Sequence, residues 1–230
     1  MTLLILALSP GLAIILYFYL KDIHEPEPFG QLAISFLYGI ISMLIATGII
    51  YLIFKEIHFD SESFTDMAIK AFLIIGVIEE GSKFLFIRGI LYKNDNFNEP
   101  FDGIIYSVMV GMGFALTENI FYVINGDGGT AILRMFTAVP AHALFAVIMG
   151  FFLGEAKLDH KHTGLHSFAA IALAIVAHGV YDYFLFISFV PGLWIGAVVS
   201  LIIGVLLSHW AIKIHQDASP FRKDDSETSE

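Results

Sequence analysis

The chain has 230 residues, of which 57% are hydrophobic and only 15% are charged, and this composition excludes an ordinary soluble domain. The net charge of −10, without a basic patch, argues against nucleic-acid binding. The absence of cysteine excludes disulfides, thiolate metal sites and a cysteine nucleophile.

Seven apolar segments are long enough to cross a bilayer, whose core is about 30 Å thick and requires about 20 apolar residues per helix. In chain order they run from Leu3 to Leu20, Gln31 to Phe54, Met67 to Tyr92, Asp102 to Ile124, Thr130 to Gly154, His166 to Val190 and Pro191 to Ile214. The sequence therefore predicts an all-α, polytopic integral membrane helical bundle with about seven transmembrane helices.

The connections between these segments are short and polar, which leaves no room for a second soluble domain. We expect one transmembrane domain over residues 1–214 and a polar, acidic, disordered tail over 215–230. If the N-terminus lies outside, Lys and Arg are more frequent on the cytoplasmic side, as the positive-inside rule requires. The expected location is thus a bacterial or archaeal inner membrane, multi-pass, with the N-terminus out and the C-terminus in.

Two adjacent acids, Glu79 and Glu80, lie in the middle of the third apolar segment. A charge at bilayer depth costs about 2.5–3.5 kcal/mol on insertion scales, so intramembrane acids indicate function by default. Adjacent residues of a helix point about 100° apart, so the two acids should have different tasks. Lys83 is i+4 from Glu79 and i+3 from Glu80 and can pair with either; a purely structural ion pair is the alternative.

Later segments add polar side chains at a similar depth. His142 lies near the middle of the fifth segment and His178 near the middle of the sixth. Asp182 is i+4 from His178, a spacing that lets a carboxylate hold an imidazole in one tautomer. Glu118 and Asn119, further along the fourth segment, could support the same site or simply hydrogen-bond neighbouring helices.

These residue types permit two kinds of hydrolysis. A glutamate can act as a general base on water, while a histidine steadies the oxyanion or protonates the leaving amine. Alternatively, Glu79, His142 and His178 match the ligand set of a catalytic zinc site with water as the fourth ligand. The HExxH spacing is absent, so three helices would have to assemble such a site. The residues alone do not choose between zinc and a metal-independent mechanism.

Five motifs in order resemble the PrsW family of intramembrane proteases, which is related to the CAAX prenyl proteases and the bacteriocin-immunity membrane proteins. The resemblance covers most of the chain, although Lys83 stands where the CAAX proteases carry Arg. The motifs are Ile78–Phe84 (IEEGSKF), Phe101–Tyr106 (FDGIIY), Gly113–Ile120 (GFALTENI), Pro140–Leu144 (PAHAL) and His178–Asp182 (HGVYD).

The resemblance implies a membrane-embedded endopeptidase that acts on a single-span membrane protein. The best-known role of the family is the first, extracytoplasmic-side cut of an anti-sigma factor. Glu79 is the preferred general base and Glu80 the alternative. The catalytic set carried over is Glu79, Glu80, His142 and His178, supported by Lys83, Glu118, Asn119 and Asp182.

Two other functions remain open at this stage. A catalytically inactive membrane scaffold or immunity-type protein would carry the same motifs without turnover. A proton-coupled transporter would also place acids and histidines at mid-membrane, but it often shows inverted repeats, and none is visible here.

Overall fold

The computed structural model of the chain describes residues 2–125 and 128–222, and all regular secondary structure within these ranges is helical. The predicted all-α class is therefore confirmed. A π-helical segment, Ile69–Gly76, joins α3 to α4, and a 3-10 turn, Leu91–Lys93, follows α4. The helices are α1 Thr2–Lys21, α2 Phe29–Glu56, α3 Phe64–Ala68, α4 Val77–Gly89, α5 Pro100–Ile124, α6 Gly128–Phe136, α7 Ala138–Leu158, α8 Thr163–Phe186 and α9 Ile195–Asp217.

Five of these helices, α2, α5, α7, α8 and α9, are long and apolar enough to cross a membrane. A shorter apolar helix, Ala7–Lys21, lies within α1. In the third predicted segment α3, the π-helical segment and α4 follow one another without a break from Phe64 to Gly89, and none of the three pieces alone reaches 18 residues. The chain is thus a multi-pass membrane protein, while the total of about seven crossings stays a prediction.

Helices α5 and α7 form the core of the bundle. In the most apolar part of α5, 78% of the residues are buried, compared with 17% in α9, whose apolar side chains face outward toward lipid. Glycines let the two core helices touch: a Cβ built on Gly103 would overlap the carbonyl oxygen of Gly150, and the reverse also holds. Since backbone cannot rotate away as a side chain can, these glycines set the distance between α5 and α7.

The π-helical segment Ile69–Gly76 ends directly before the first turn of α4, which carries the two acids. Its wider i→i+5 turns change the direction in which the following residues point, and such segments are frequent at functional sites. Gly76, at its end, lies against α8, because a Cβ there would be 3.3 Å from the carbonyl oxygen of Ile175. The segment therefore sets the rotation of α4 relative to α8.

Several predicted boundaries differ from the structure by a few residues; for example, α8 ends at Phe186 and α9 begins at Ile195, where the sequence predicted Val190 and Pro191. The fifth apolar segment is broken at Thr137, between α6 and α7, where Pro140 lies in the first turn of α7 and has no N–H to extend a preceding helix. At the other end, α9 continues to Asp217, beyond the predicted boundary at residue 214. Residues 223–230 of the predicted tail lie outside the described residues.

Candidate active site

Helices α4, α7 and α8 bring five ionisable side chains together inside the bundle. All five belong to residues that are at most 8% exposed, and Glu80 is completely buried. They are Glu79, Glu80, Lys83, His142 and His178. So many titratable groups inside a bundle require mutual pairing, because an isolated buried charge is strongly unfavourable.

Glu80 is the paired acid of the two, through one of its oxygens; its Oε2 has no hydrogen-bond partner among the described residues. Lys83 Nζ donates to Glu80 Oε1 at 2.6 Å, and His178 Nδ1 lies 2.9 Å from the same oxygen. A carboxylate that accepts from Nδ1 fixes both the tautomer and the orientation of the imidazole. Glu80 thereby holds the Nε2 atom of His178 on the side away from itself.

His142 is held on both ring nitrogens. Its Nδ1 lies 3.1 Å from Lys83 Nζ and its Nε2 lies 3.2 Å from Glu118 Oε2 on α5. When the ammonium group of Lys83 donates to Nδ1, the proton of the neutral ring is on Nε2 and donates to Glu118. The ring of Phe114 covers the ammonium, with its centroid 4.1 Å from Nζ.

Glu79 differs from Glu80 because, among the described residues, no ammonium or imidazole nitrogen approaches its carboxylate within hydrogen-bond distance. Glu79 Oε2 is buried and has no hydrogen-bond partner among the described residues, and it lies 3.9 Å from His178 Nε2. Asp182 Oδ2 approaches the same nitrogen at 3.4 Å. A buried carboxylate oxygen without a donor requires a further partner, such as water, a proton or a cation.

A polar cavity of 140 Å³ lies between these side chains. At about 30 Å³ per molecule it has room for a few waters. Glu80 and Lys83 are not part of its wall and lie behind it. Larger grooves face lipid, such as one of 640 Å³ between α1 and α2, but no acid, Lys, Arg or His lines that groove. The polar members of the cavity wall are Glu79, Glu118, Tyr122, Arg134, His142, His178, Tyr181 and Asp182.

Glu79, His142 and His178 could hold a metal ion. Each offers one ligand atom, and these atoms lie within 4.8 Å of one another, the one such group among the described residues. Two histidines and one glutamate are the ligand set of several catalytic zinc sites. The unused Glu79 Oε2 fits this role without change, whereas His142 would first have to free Nε2 from its contact with Glu118.

Not every residue singled out from the sequence reaches the cavity. Asn119 points toward α1, where its Nδ2 donates to the carbonyl oxygen of Ala7 at 3.2 Å, so it joins two helices. Sequence reasoning missed Arg134, which forms an ion pair with Glu118, and Phe145, whose ring stacks on His178 at 4.8 Å between centroids. An arginine inside an apolar segment was the available signal for the first.

Comparison with known proteins gives a consistent result. The model of the PrsW family of intramembrane metalloproteases matches residues 27–209. Curated proteins named Protease PrsW are 40% identical over 177 residues in Geobacillus kaustophilus (77% of this chain, 76% of the relative) and 34% identical over 180 residues in Bacillus subtilis (77% and 80%). A third, from Halalkalibacterium halodurans, is 30% identical over 215 residues, or 94% of this chain and 95% of the relative. No solved structure matches the chain.

Proposed function

Because the chain belongs to the PrsW family of intramembrane metalloproteases and is therefore an intramembrane protease, we propose that peptide hydrolysis takes place in the cavity beside Glu79. The observation that supports this is the unused carboxylate oxygen of Glu79, which is buried at the cavity wall. The same matches favour a protease over the scaffold and transporter that the sequence left open.

In the proposed reaction Glu79 is the general base. Its Oε2 takes a proton from a water molecule in the cavity, and the water oxygen forms a bond with the scissile carbonyl carbon. The carbonyl π electrons then reside on the oxygen as an oxyanion. When the carbonyl re-forms, the C–N bond breaks and Glu79 returns its proton to the leaving nitrogen, so the carboxylate is regenerated.

The two histidines would stabilise the oxyanion. Since Nδ1 of His178 already donates to Glu80, a proton on Nε2, which faces Asp182 at 3.4 Å, makes the ring a cationic imidazolium that can donate to the oxyanion. His142 also lines the cavity, and its Nε2 lies 3.2 Å from Glu118 Oε2. When bound by Glu79, His142 and His178, a zinc ion would supply a Lewis acid for water and carbonyl. The contacts of Glu80 and Lys83 orient His178 and His142 in either case.

We propose a single-span membrane protein, such as an anti-sigma factor, as the substrate, cut at or near the outer end of its span. The cavity is lined by the C-terminal parts of α5 and α8, the N-terminal part of α7 and by α6. With the predicted orientation of N-terminus out and C-terminus in, this end of the bundle is the extracytoplasmic one. A cut near the outer surface follows from that position.

The test is cleavage of a single-span substrate by purified wild-type protein and by Glu79→Gln and His178→Ala variants, with metal content measured by mass spectrometry. We expect Glu79→Gln to lower the rate by about 10²–10⁴-fold, the usual contribution of a general base. The exposed Glu62→Gln is the matched control and should cleave normally. Cleavage by Glu79→Gln at the wild-type rate would refute the assignment. Stoichiometric zinc that is lost in both variants would assign Glu79 to the metal.

A further inference from the structure

Arg134 is held in a defined plane at the cavity wall. It lies in the last turn of α6, and its Nη2 forms an ion pair with Glu118. The guanidinium carbon lies 4.3 Å from the ring centroid of Tyr122, so the group stacks on that ring. Its side chain is 18% exposed, and it lines the cavity together with Glu79 and His178. Pairing and stacking together fix the direction of the remaining N–H groups.

One of these remaining donors has no acceptor. Arg134 Nε is buried and has no hydrogen-bond partner among the described residues. A counter-ion for Glu118 needs only the Nη2 edge, and a lysine would serve for that. Arginine presents five donors in a rigid fork, and a buried donor left unpaired is unfavourable. This Nε–H is closed off in the structure, so an acceptor from outside the chain reaches it once the side chain turns toward the cavity that it lines.

The substrate of an intramembrane protease brings such an acceptor. A helix must unwind before its peptide bond can be attacked, and unwinding frees carbonyl oxygens that were paired within the helix. In surroundings without bulk water each freed carbonyl needs a donor. A main-chain carbonyl oxygen is neutral and present in every substrate sequence, so it matches a donor on a rigid group better than a particular side chain would.

We propose that Arg134 is a substrate-binding residue whose free guanidinium edge donates to a main-chain carbonyl of the unwound substrate segment beside the scissile bond. The inference rests on the proposed location of hydrolysis at this cavity. It gives α6 a role that the sequence did not suggest, because this short helix presents a donor at the wall of the cavity that Glu79 also lines.

The affinity of a single-span substrate peptide tests this inference directly. Binding is measured by fluorescence anisotropy in detergent micelles, in the Glu79→Gln background, with and without Arg134→Lys and Arg134→Gln. We expect the Kd to rise about tenfold or more in both variants, the range for one charge-assisted hydrogen bond. In the active protein KM should rise by a similar factor, with a smaller change in kcat.

Two controls separate binding from a purely structural role. Arg222→Lys changes an exposed arginine that pairs with Asp217 and should leave the affinity unchanged. Glu118→Gln removes the ion-pair partner of Arg134. If Arg134 serves only to hold Glu118, then Glu118→Gln and the Arg134 substitutions should all lower kcat and leave the Kd unaltered, and that result would overturn the proposal. Loss of the folded state in both Arg134 variants, seen in thermal unfolding, would also count against it. Cleavage by Glu79→Gln would instead refute the catalytic assignment and is a separate readout.

Discussion

The two ends of the bundle bury carboxylates in opposite ways. At the cavity end Glu80 pairs with Lys83 and Glu118 pairs with Arg134. At the other end, the loop before α2 and the start of α5 bury a second acidic group, in which no member has an ion pair among the described residues. This group is Asp22, Glu27, Glu99 and Asp102.

The carboxyl groups of the second acidic group accept hydrogen bonds from neutral donors, although Asp22 Oδ1 and Asp102 Oδ1 have no partner among the described residues. Asp22 accepts from the backbone N–H of Glu27 at 2.7 Å, Glu27 is bonded to the hydroxyl of Tyr106, and Glu99 to that of Ser219. Burial raises the pKa of Asp22 to about 7, and it also raises the pKa of Glu27 and of Glu99. These carboxyl groups bind their protons more tightly than exposed acids do.

The difference separates structural from functional acids. Carboxyl groups that only join segments of the chain can be buried protonated and need no cation. A group that must take a proton from water has to be available as a carboxylate, and positively charged side chains nearby, such as Lys83 and Arg134, favour that form. Substitutions at the two ends should therefore have different consequences, and four experiments test this difference.

The largest effect on stability is expected from Glu80→Gln. This substitution leaves Lys83 buried without its anion, and breaking a buried ion pair costs about 3–5 kcal/mol of unfolding free energy. Glu79→Gln should change the unfolding free energy much less, since Glu79 Oε2 has no hydrogen bond among the described residues that could be lost. The unfolding free energy of both variants is measured by titration with a denaturing detergent. Equal stability of the two would contradict the division of tasks between the glutamates.

The next largest effect is expected where α8 meets the π-helical segment. A Cβ built on Gly179 would overlap the ring of Phe72, directly beside His178. Overpacking of this kind costs about 1–3 kcal/mol, so Gly179→Ala should lower the unfolding midpoint and displace His178, which lowers the cleavage rate as well. Gly164→Ala, in the same helix but with nothing within 4 Å of the new Cβ, is the control. Wild-type activity of Gly179→Ala would show that the site tolerates a shift of α8.

The cavity end was more visible in the sequence than the opposite end. Glu79, His142 and His178 stood out because a titratable side chain inside an apolar segment is unusual, whatever its partners. Arg134 also lies inside a predicted apolar segment, but its place beside Glu118 depends on the break at Thr137, which puts it on a separate helix. The π-helical segment was equally hidden, since an apolar run has the same composition in an α-helix and in a π-helix.

The acidic group at the other end could not be anticipated in the same way. Asp22 and Glu27 lie in a polar Glu-Pro-Glu-Pro loop, where exposure is the ordinary expectation. Their burial depends on contacts between distant parts of the chain, such as that of Glu27 with Tyr106 and that of Glu99 with Ser219. No local pattern encodes those contacts.

A smaller effect is expected from Ser219→Ala at this second end. The hydroxyl of Ser219 bonds to Glu99, and it ties the segment after α9 to the start of α5. Loss of one such hydrogen bond costs about 1 kcal/mol, and we expect the unfolding midpoint to fall with no change in the cleavage rate. Ser200→Ala, which removes a bond within α9 alone, provides the comparison. A lower cleavage rate at an unchanged midpoint would mean that the two ends are coupled.

The smallest effect on stability at neutral pH is expected from Asp22→Asn. The direction of the pH dependence that this substitution removes distinguishes the acids of the second group from ion-paired carboxylates. The pKa of Asp22 is about 7 in the folded chain, against an ordinary value of 3.8, so the folded state binds the extra proton between these values. The stabilisation of the folded state by this raised pKa is complete below about pH 4 and is lost as the pH rises toward 7. A salt-bridged carboxylate shows the reverse pH dependence. The Asn side chain cannot titrate, yet its oxygen can still accept from Glu27. Unfolding midpoints measured from pH 5 to pH 8 should therefore fall less steeply in Asp22→Asn than in the wild type or in Glu62→Gln. Identical slopes would show that Asp22 is already ionised throughout this range, and a cation would then be required at this end of the bundle as well.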